Sequence, residues 1–365
     1  MYPLKTPRKI LFIATRQIGD VLLSTPLLRT LRLAYPDAII DALVYTNKGG
    51  MLEGNQDCNK IIESDEHPNL AGYWDLIKRT FRRYDLAVIA QPSDRAHQYG
   101  FIAAWKRIGL VPNTSSQSFI KRSLLAGWRL LDNVYTSTVV QNLALAECLN
   151  IQKQYQVAAP HNPAAESVID TLISFNWRNE PFIVLHPFPM WQYKRWTDEG
   201  WESLIRYLIS KKLHIILTGG NALQELEYCA QLAAKYELNV ISIAGKTSFG
   251  TISKLLEHAI AYVGPDTATT HLSAACGTPT LALFGPTNPV KWGPWPKYYA
   301  SENSPWTMAA PYQKNGNVLL LQGLGDCVPC HQEGCDRHKN SESNCMNELP
   351  ASRVITALEI LLTPI

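Results

Sequence analysis

Short continuous apolar runs alternate along the chain with segments in which apolar positions return at helical spacing. The runs are KILFIA (9–14), AIIDALVY (38–45) and DLAVIAQ (85–91), then FIVLHP (182–187), LHIILTGG (213–220), AIAYVGPD (259–266) and PTLALFGPT (279–287). Runs this unbroken suit strands buried on both faces, and the helical segments between them supply the covering layers of parallel sheets. Each half therefore reads as a doubly wound α/β domain. QVAAPHNPAAES (156–167) gathers Pro, Ala and Asn with little apolar pattern and reads as the linker. The expected division is a first domain over 1–160, a second over 161–347, and an amphipathic helix in 348–365 that could pack back on the first domain.

Length and composition agree with two cores, at 365 residues with 46% hydrophobic and 18% charged. ILFIA, soon followed by Arg16, is too short for a signal peptide, and no apolar run nears the roughly 20 residues of a membrane span. A cytoplasmic protein is the expectation. Eight cysteines in a chain of this length do not make a disulfide scaffold. Net charge is only +3, yet residues 78–129 carry ten basic side chains against Asp85 and Asp94, a local +8. That points to a polyanionic partner or an anionic membrane face, or else to the solvated face of ordinary helices.

In open α/β folds the loops after strands carry the chemistry, at the carboxyl edge of the sheet. The first such loop leads into RQIGDVLLSTP (16–26). Its single Gly19 is not a G-x-G-x-x-G fingerprint, which disfavours a nicotinamide or flavin cofactor. Thr25 before Pro26 reads as a cap and first-turn proline, so a helix begins or bends there. Asp20 then lies in or just ahead of a first helical turn, as a dipole-satisfying aspartate or as a general base. The second loop follows YVG: Asp266 stands at a strand mouth, and TATTHLSAAC opens a helix whose free N–H groups suit an anion. His271 falls inside that helix, Gly277 stops it, and GPTNP with Thr287 makes a further polar loop at the same edge. Asp266 is an acceptor suited to sugar hydroxyls rather than to phosphate. The third loop, HPFPMWQYKRWT (186–197), sets Lys194 among Trp191, Tyr193 and Trp196, either as a charge for a diphosphate or as a surface lysine lying over tryptophans. Thr218, Gly219 and Gly220 of TGGN let backbone approach a nucleotide closely.

Together these loops resemble the glycosyltransferase family 9 heptosyltransferases over nearly the whole chain. The resemblance is carried by IGDVLLSTPLLRTL, YPDAIIDALVY, the Lys194–Trp196 segment, GPDTATTHLSAACGTPTLALFGPTNP and the cysteine run ending in CM. RQIGDVLLSTP and LVYTNKGGMLEGN are most similar to the heptosyltransferase III type. The resemblance implies a GT-B fold, with two Rossmann-like domains facing a cleft; a two-domain cleft is in turn expected to close around its donor, with the QVAAPHNP linker and the final helix as hinge elements. It implies inverting, metal-independent transfer of L-glycero-D-manno-heptose from ADP-heptose to an inner-core lipopolysaccharide acceptor, with no cofactor. It also implies roles: Asp20 as general base, Lys194 on the donor phosphates, Asp266 on the heptose hydroxyls. The segment Thr267, Ala268, His271 and the loop holding Thr287 would take the diphosphate. The absence of any D-x-D motif agrees, since the usual metal–diphosphate clamp is missing from the sequence.

Two departures stand out. Phe188, Pro189 and Met190 occupy a loop where the family offers small hydroxyl residues, and the acidic residue after TGGN is displaced to Glu225 or Glu227. Acceptor contacts vary within the family; Arg16, Gln17, Arg82 and Arg83 are the candidates, the latter two because inner-core acceptors are anionic. Contact with the inner face of the membrane is expected and nucleic acid is not, while the oligomeric state is left open. CVPCHQEGCDRHKNSESNC (327–345) holds Cys327, Cys330, Cys335 and Cys345, which read as reduced thiols, with a structural metal site as the alternative and no catalytic part. Other readings of the whole chain are a GT-B-like sugar-nucleotide epimerase, and a related transferase with another sugar or a protein acceptor.

Overall fold

A computed structural model describes residues 6–113, 115–236 and 239–363. The chain forms two compact units, Met1–Pro160 with Ala300–Asn303, and His161–Tyr299 with Ser304–Ile365.

The first unit is built on six strands: β1 (Lys9–Ile13), β2 (Ile39–Tyr45), β3 (Lys60–Ser64), β4 (Tyr84–Ile89), β5 (Ala104–Val111) and β6 (Gly127–Leu130). They are parallel throughout, in the order β3-β2-β1-β4-β5-β6, with Ile10 level with Ile40 on one side and Leu86 on the other. The chain builds outward to β3 and then returns to the other side of β1, so the order reverses between β1 and β4. The second unit repeats the plan with β7 (Phe182–Leu185), β8 (His214–Leu217), β9 (Val240–Ser242), β10 (Ala261–Pro265), β11 (Thr280–Phe284), β12 (Tyr312–Asn315) and β13 (Val318–Gln322). Its order is β12-β13-β11-β10-β7-β8-β9, parallel except for the β12–β13 edge pair, and it reverses between β7 and β10. Such a reversal opens a crevice at the carboxyl ends of the two strands, because their following connections leave to opposite faces.

Strands β7, β10 and β11 are buried along their whole length, as their unbroken apolar sequences demand. β5 is different: Lys106 and Arg107 interrupt it. Arg107 is nonetheless buried, and its guanidinium donates to Ala104 O and Leu124 O, both at 2.7 Å, which satisfies a charge the strand could not otherwise carry inside. The helical segment after β1 is two helices, Ile18–Leu23 and Thr25–Ala34. The hydroxyls of Ser24 and Thr25 donate to Val21 O and Leu22 O at 2.7 Å, competing for carbonyls that a continuous helix would use, and Pro26 has no N–H to offer.

The final helix, Ala351–Leu362, lies in the second unit and packs in that unit's core. Its stripe of Val354, Ala357, Leu358 and Leu361 enters the core that contains Leu204, Ile205 and Leu208 of helix Asp198–Ser210. Trp196 Nε1 donates to Leu349 O at 2.8 Å and fixes the entry of that helix. Four apolar side chains on one stripe needed a partner, and that core supplies it. No helix among the described residues is long and apolar enough to cross a membrane. Because Leu358 is fully packed there, Leu358→Ala is expected to lower the unfolding free energy by about 2–5 kcal/mol, read from denaturant melts.

Candidate active site

Asp20 sits in the first turn of helix Ile18–Leu23, which follows the carboxyl end of β1 at the order reversal of the first sheet. The turn buries it, and Arg16 Nη1 lies 3.6 Å from Oδ1. Gln17 is the exposed residue at the cap position and makes no side-chain cap. Arg16, Gln17 and Asp20 thus stand together. Thr15 adds a buried hydroxyl without a hydrogen-bond partner among the described residues. Arg82 and Arg83 do not join them. They precede β4, whose first residues run level with the start of β1, so they lie at the amino edge of the sheet. Asp20 belongs to the carboxyl edge, a strand length of about 15–20 Å away.

In the second unit the loops after β7 and β10 meet at the order reversal. Lys194 Nζ donates to Asp266 Oδ2 at 2.6 Å, with both side chains largely withdrawn from water. His271 Nε2 lies 3.8 Å from the other oxygen of the same carboxylate. Burial pushes His271 down to about 4, outweighing the opposing influence of Asp266, so the imidazole is neutral near pH 7. Its Nδ1 is buried with no hydrogen-bond partner among the described residues. Thr267 opens helix Ala268–Cys276 in extended conformation without a side-chain cap, leaving the first-turn amides of Ala268, Thr269 and Thr270 to other acceptors. Gly277 ends that helix at φ +88°, a left-handed conformation that glycine adopts without strain.

The neighbouring cation is arranged otherwise. Arg195 lies over the rings of Phe188 (4.6 Å) and Tyr228 (4.9 Å) and pairs with Asp198 at 3.3 Å, so of the two only Lys194 reaches Asp266. Trp196 anchors the loop from below, edge-on to Trp201 at 5.0 Å. A Cβ at Gly200 would stand 2.4 Å from the Trp196 ring, which is why the helix has glycine there. Thr218 is buried, its hydroxyl taken by His186 Nδ1 at 3.0 Å and Leu185 O at 3.2 Å; contact at this loop falls to Gly219 and Gly220. The Glu225 carboxylate folds over those two glycines, 2.8 Å from where a Gly220 Cβ would be, while Glu227 is exposed. Burial raises the Glu225 carboxyl, and a hydrogen bond from Gly220 offsets part of that rise.

The family model described as "Glycosyltransferase family 9 (heptosyltransferase)" matches residues 74–319. The chain belongs to glycosyltransferase family 9. It is 28% identical to lipopolysaccharide heptosyltransferase 3 of Escherichia coli K12 over 95% of this chain and 96% of that one. In fold it is similar to a family 9 glycosyltransferase from Veillonella parvula, with a TM-score of 0.76 and 18% identity over 97% of both chains. It is likewise similar to E. coli heptosyltransferase WaaC solved with ADP, with a TM-score of 0.71 and 18% identity over 97% of this chain and 99% of that one. The two Rossmann-like units are those of the GT-B fold, and the protein is a glycosyltransferase most like the heptosyltransferase III type.

The cysteine-rich segment has a use that the spacing of its cysteines does not express. His331 N donates to Pro286 O at 2.8 Å, Gln192 N to Lys339 O at 3.1 Å, and Ser343 Oγ to Tyr193 O at 2.7 Å. The cysteine-rich segment therefore ties the Lys194 loop to the GPTNP loop, where Thr287 is half-buried. All eight cysteines are free thiols, and among the described residues no group of three or more His, Cys, Asp or Glu side chains is arranged to hold a metal ion. The buried Cys345 thiol is pushed up to about 12, by desolvation first and then by Cys330, Cys327 and Cys335.

His186, Thr15 and Ser343 also lie at these loops, and the sequence does not single them out. His186 had a signal in the polar residue that closes FIVL; Thr15 and Ser343 had none, since a serine in a loop is ordinary. His186 resembles His271 in being held neutral by burial, at about 4. Both histidines would titrate near 6.5 in the unfolded chain, so as pH falls the unfolded state takes up protons first. Their stabilising contribution is complete above about pH 6.5 and is lost progressively toward pH 4. The melting temperature is expected to decline through that window, and less steeply in a His186→Gln/His271→Gln double variant, by calorimetry across a pH series.

Proposed function

We propose that the protein transfers a heptose from an ADP-heptose donor to an anionic, lipid-anchored lipopolysaccharide core acceptor, inverting the anomeric centre and using no metal ion. The observation that carries this reading is the Lys194–Asp266 pair beside an uncapped helix N-terminus at the β7/β10 reversal. An ammonium has three donors. Lys194 can keep its bond to Asp266 while donating to diphosphate oxygens, holding the anionic donor beside a carboxylate that would otherwise repel it. Asp266 then accepts hydrogen bonds from sugar hydroxyls, and the amides of Thr267 and Ala268, with the Thr287 loop, take phosphate oxygens. Gly219 and Gly220 leave room for the nucleoside, and Glu225 meets the ribose hydroxyls. The donor agrees with the ADP bound in the WaaC structure, whose fold this chain shares, and the acceptor class with the name of the E. coli heptosyltransferase 3 to which it is similar.

Asp20 is the general base. It removes the proton of an acceptor hydroxyl, whose oxygen attacks the anomeric carbon while the bond to the diphosphate breaks and ADP departs with the electron pair. The developing charge on the diphosphate is met by Lys194 and the helix amides. Arg16 and Gln17, adjoining Asp20, contact the acceptor. Work at the inner face of the membrane follows from a lipid-anchored acceptor.

Asp20→Ala is expected to reduce turnover by about 10²- to 10⁴-fold, the usual worth of a general base, with ADP affinity unchanged. Full turnover in that variant would remove Asp20 from the mechanism. Calorimetric titration with ADP, UDP and GDP in metal-free buffer is expected to show selective binding of ADP, abolished or strongly weakened by Lys194→Met. Preference for UDP would turn the reading toward a sugar-nucleotide epimerase or another transferase.

A further inference from the structure

All five exposed Trp and Phe side chains among the described residues fall within one stretch of the first unit: Trp74, Phe81, Phe101, Trp105 and Phe119. Four of them belong to helices Leu70–Thr80, Asp94–Ala103 and Ser115–Ser123 and to the beginning of β5, and Phe81 is the residue that ends the first of these helices. Between the helices runs a groove of about 520 Å³ along Asp94–Ala103, lined by Tyr73, His97, Phe101, Ile102, Ile120 and Leu124. On the first helix Leu70, Trp74 and Lys78 share one exposed face at four-residue spacing, apolar and then basic. Arg82, left-handed at φ 53°, holds its guanidinium 3.5 Å from the Trp105 ring and 5.4 Å from that of Phe101.

The charges of this face are not mutually cancelled. Asp75 pairs with Arg79, Asp94 with Lys121 at 2.6 Å, and Asp85 accepts the N–H groups of Arg8 and Lys9. Lys78, Arg82, Arg83, Arg95, Lys106 and Arg122 form no ion pair among the described residues. The stretch thus presents exposed aromatics together with six cations that no carboxylate pairs, Lys78 and Arg83 exposed and Arg82, Arg95, Lys106 and Arg122 half-buried.

We infer that this face docks the protein on an anionic phospholipid bilayer, with the Trp and Phe side chains at headgroup level and its unpaired lysines and arginines toward lipid phosphates. Trp and Phe favour that depth, and lysine and arginine are drawn to anionic headgroups. A second copy of the chain fits less well, since a two-fold contact would set the same six cations against each other. The inference extends the proposed function, in which the acceptor is lipid-anchored, and assigns Arg82 and Arg83 to the bilayer rather than to the acceptor sugar.

The test is flotation of the full-length protein with vesicles of phosphatidylcholine alone or mixed with phosphatidylglycerol. The wild type is expected to float with the mixed vesicles, weakly with phosphatidylcholine alone, and less as salt rises. Trp74→Ser/Trp105→Ser/Phe119→Ser and, separately, Lys78→Glu/Lys106→Glu are expected to lose binding by about tenfold or more. A wild type that stays in the soluble fraction, equal flotation of both variants with the wild type, or a wild-type dimer that becomes monomeric in the serine variant without any vesicle binding would overturn the inference. ADP titration on the same samples reports on the second unit, so failure of the surface is distinguishable from failure of the donor assignment.

Discussion

The reversal of strand order in each parallel sheet is the constraint on which the candidate site depends. Where β7 and β10 lie side by side their following connections leave to opposite faces, so their carboxyl ends stay uncovered. Two loops distant in sequence are brought there, and Lys194 meets Asp266 across 72 residues at 2.6 Å. Neither charge would be tolerable in that setting alone: removing one partner of a buried pair typically costs about 3–5 kcal/mol, because the other charge remains without compensation. The pair therefore keeps both side chains in place before any substrate arrives. The first sheet uses the same reversal, between β1 and β4, to hold Asp20 at a strand mouth.

Pre-organisation of this kind needs support behind it, and the support is layered. Trp196 and Trp201 hold the base of the Lys194 loop against the core that also takes the final helix. The cysteine-rich segment holds its outer side through Ser343 and Lys339, and reaches the GPTNP loop through His331. A loop fixed on two sides loses little conformational freedom when a ligand binds, which is where much of the cost of binding a charged ligand otherwise lies. The histidines fit the same logic. His186 and His271 are uncharged near pH 7, so they can donate or accept at the site without adding to the positive charge that Lys194 supplies.

Seven continuous apolar runs were legible as strands, since a two-sided parallel sheet hides such runs, whereas the equally continuous VLLLQ of β13 was passed over. β5 was not legible, since Lys106 and Arg107 break the pattern and the carbonyls that satisfy Arg107 come from residues on either side of it in the fold, one of them Leu124. The short edge strands β3, β6 and β9 are too brief, and too exposed on one side, to stand out as runs. At the candidate site, residues on strand mouths could be placed by position, as Asp20 and Asp266 were, but the roles expected of them came with the family resemblance. Thr218 could not be judged from sequence, because a threonine beside two glycines reads the same whether its hydroxyl faces a ligand or is spent on His186. The final helix was legible as amphipathic, but its stripe says only that a partner exists, not which core provides it.

The basic stretch 78–129 shows how little a net charge decides. Its cations have three physical fates: Arg107 is spent on backbone carbonyls inside the fold, Arg79, Lys121 and Arg129 are matched by carboxylates, and the other six form no ion pair among the described residues, Lys78 and Arg83 exposed and the rest half-buried. Only the last group can attract an anion from outside, since the others would have to give up a bond of equal chemistry to do so. What makes that group more than a solvated surface is its company. Lysine and arginine among serines and glutamates leave a surface indifferent to lipid, whereas the same charges around Trp74, Trp105 and Phe119 leave apolar area that water solvates poorly. The apolar and electrostatic contributions then act on one surface, and neither needs to be large for the two together to choose an anionic interface over water.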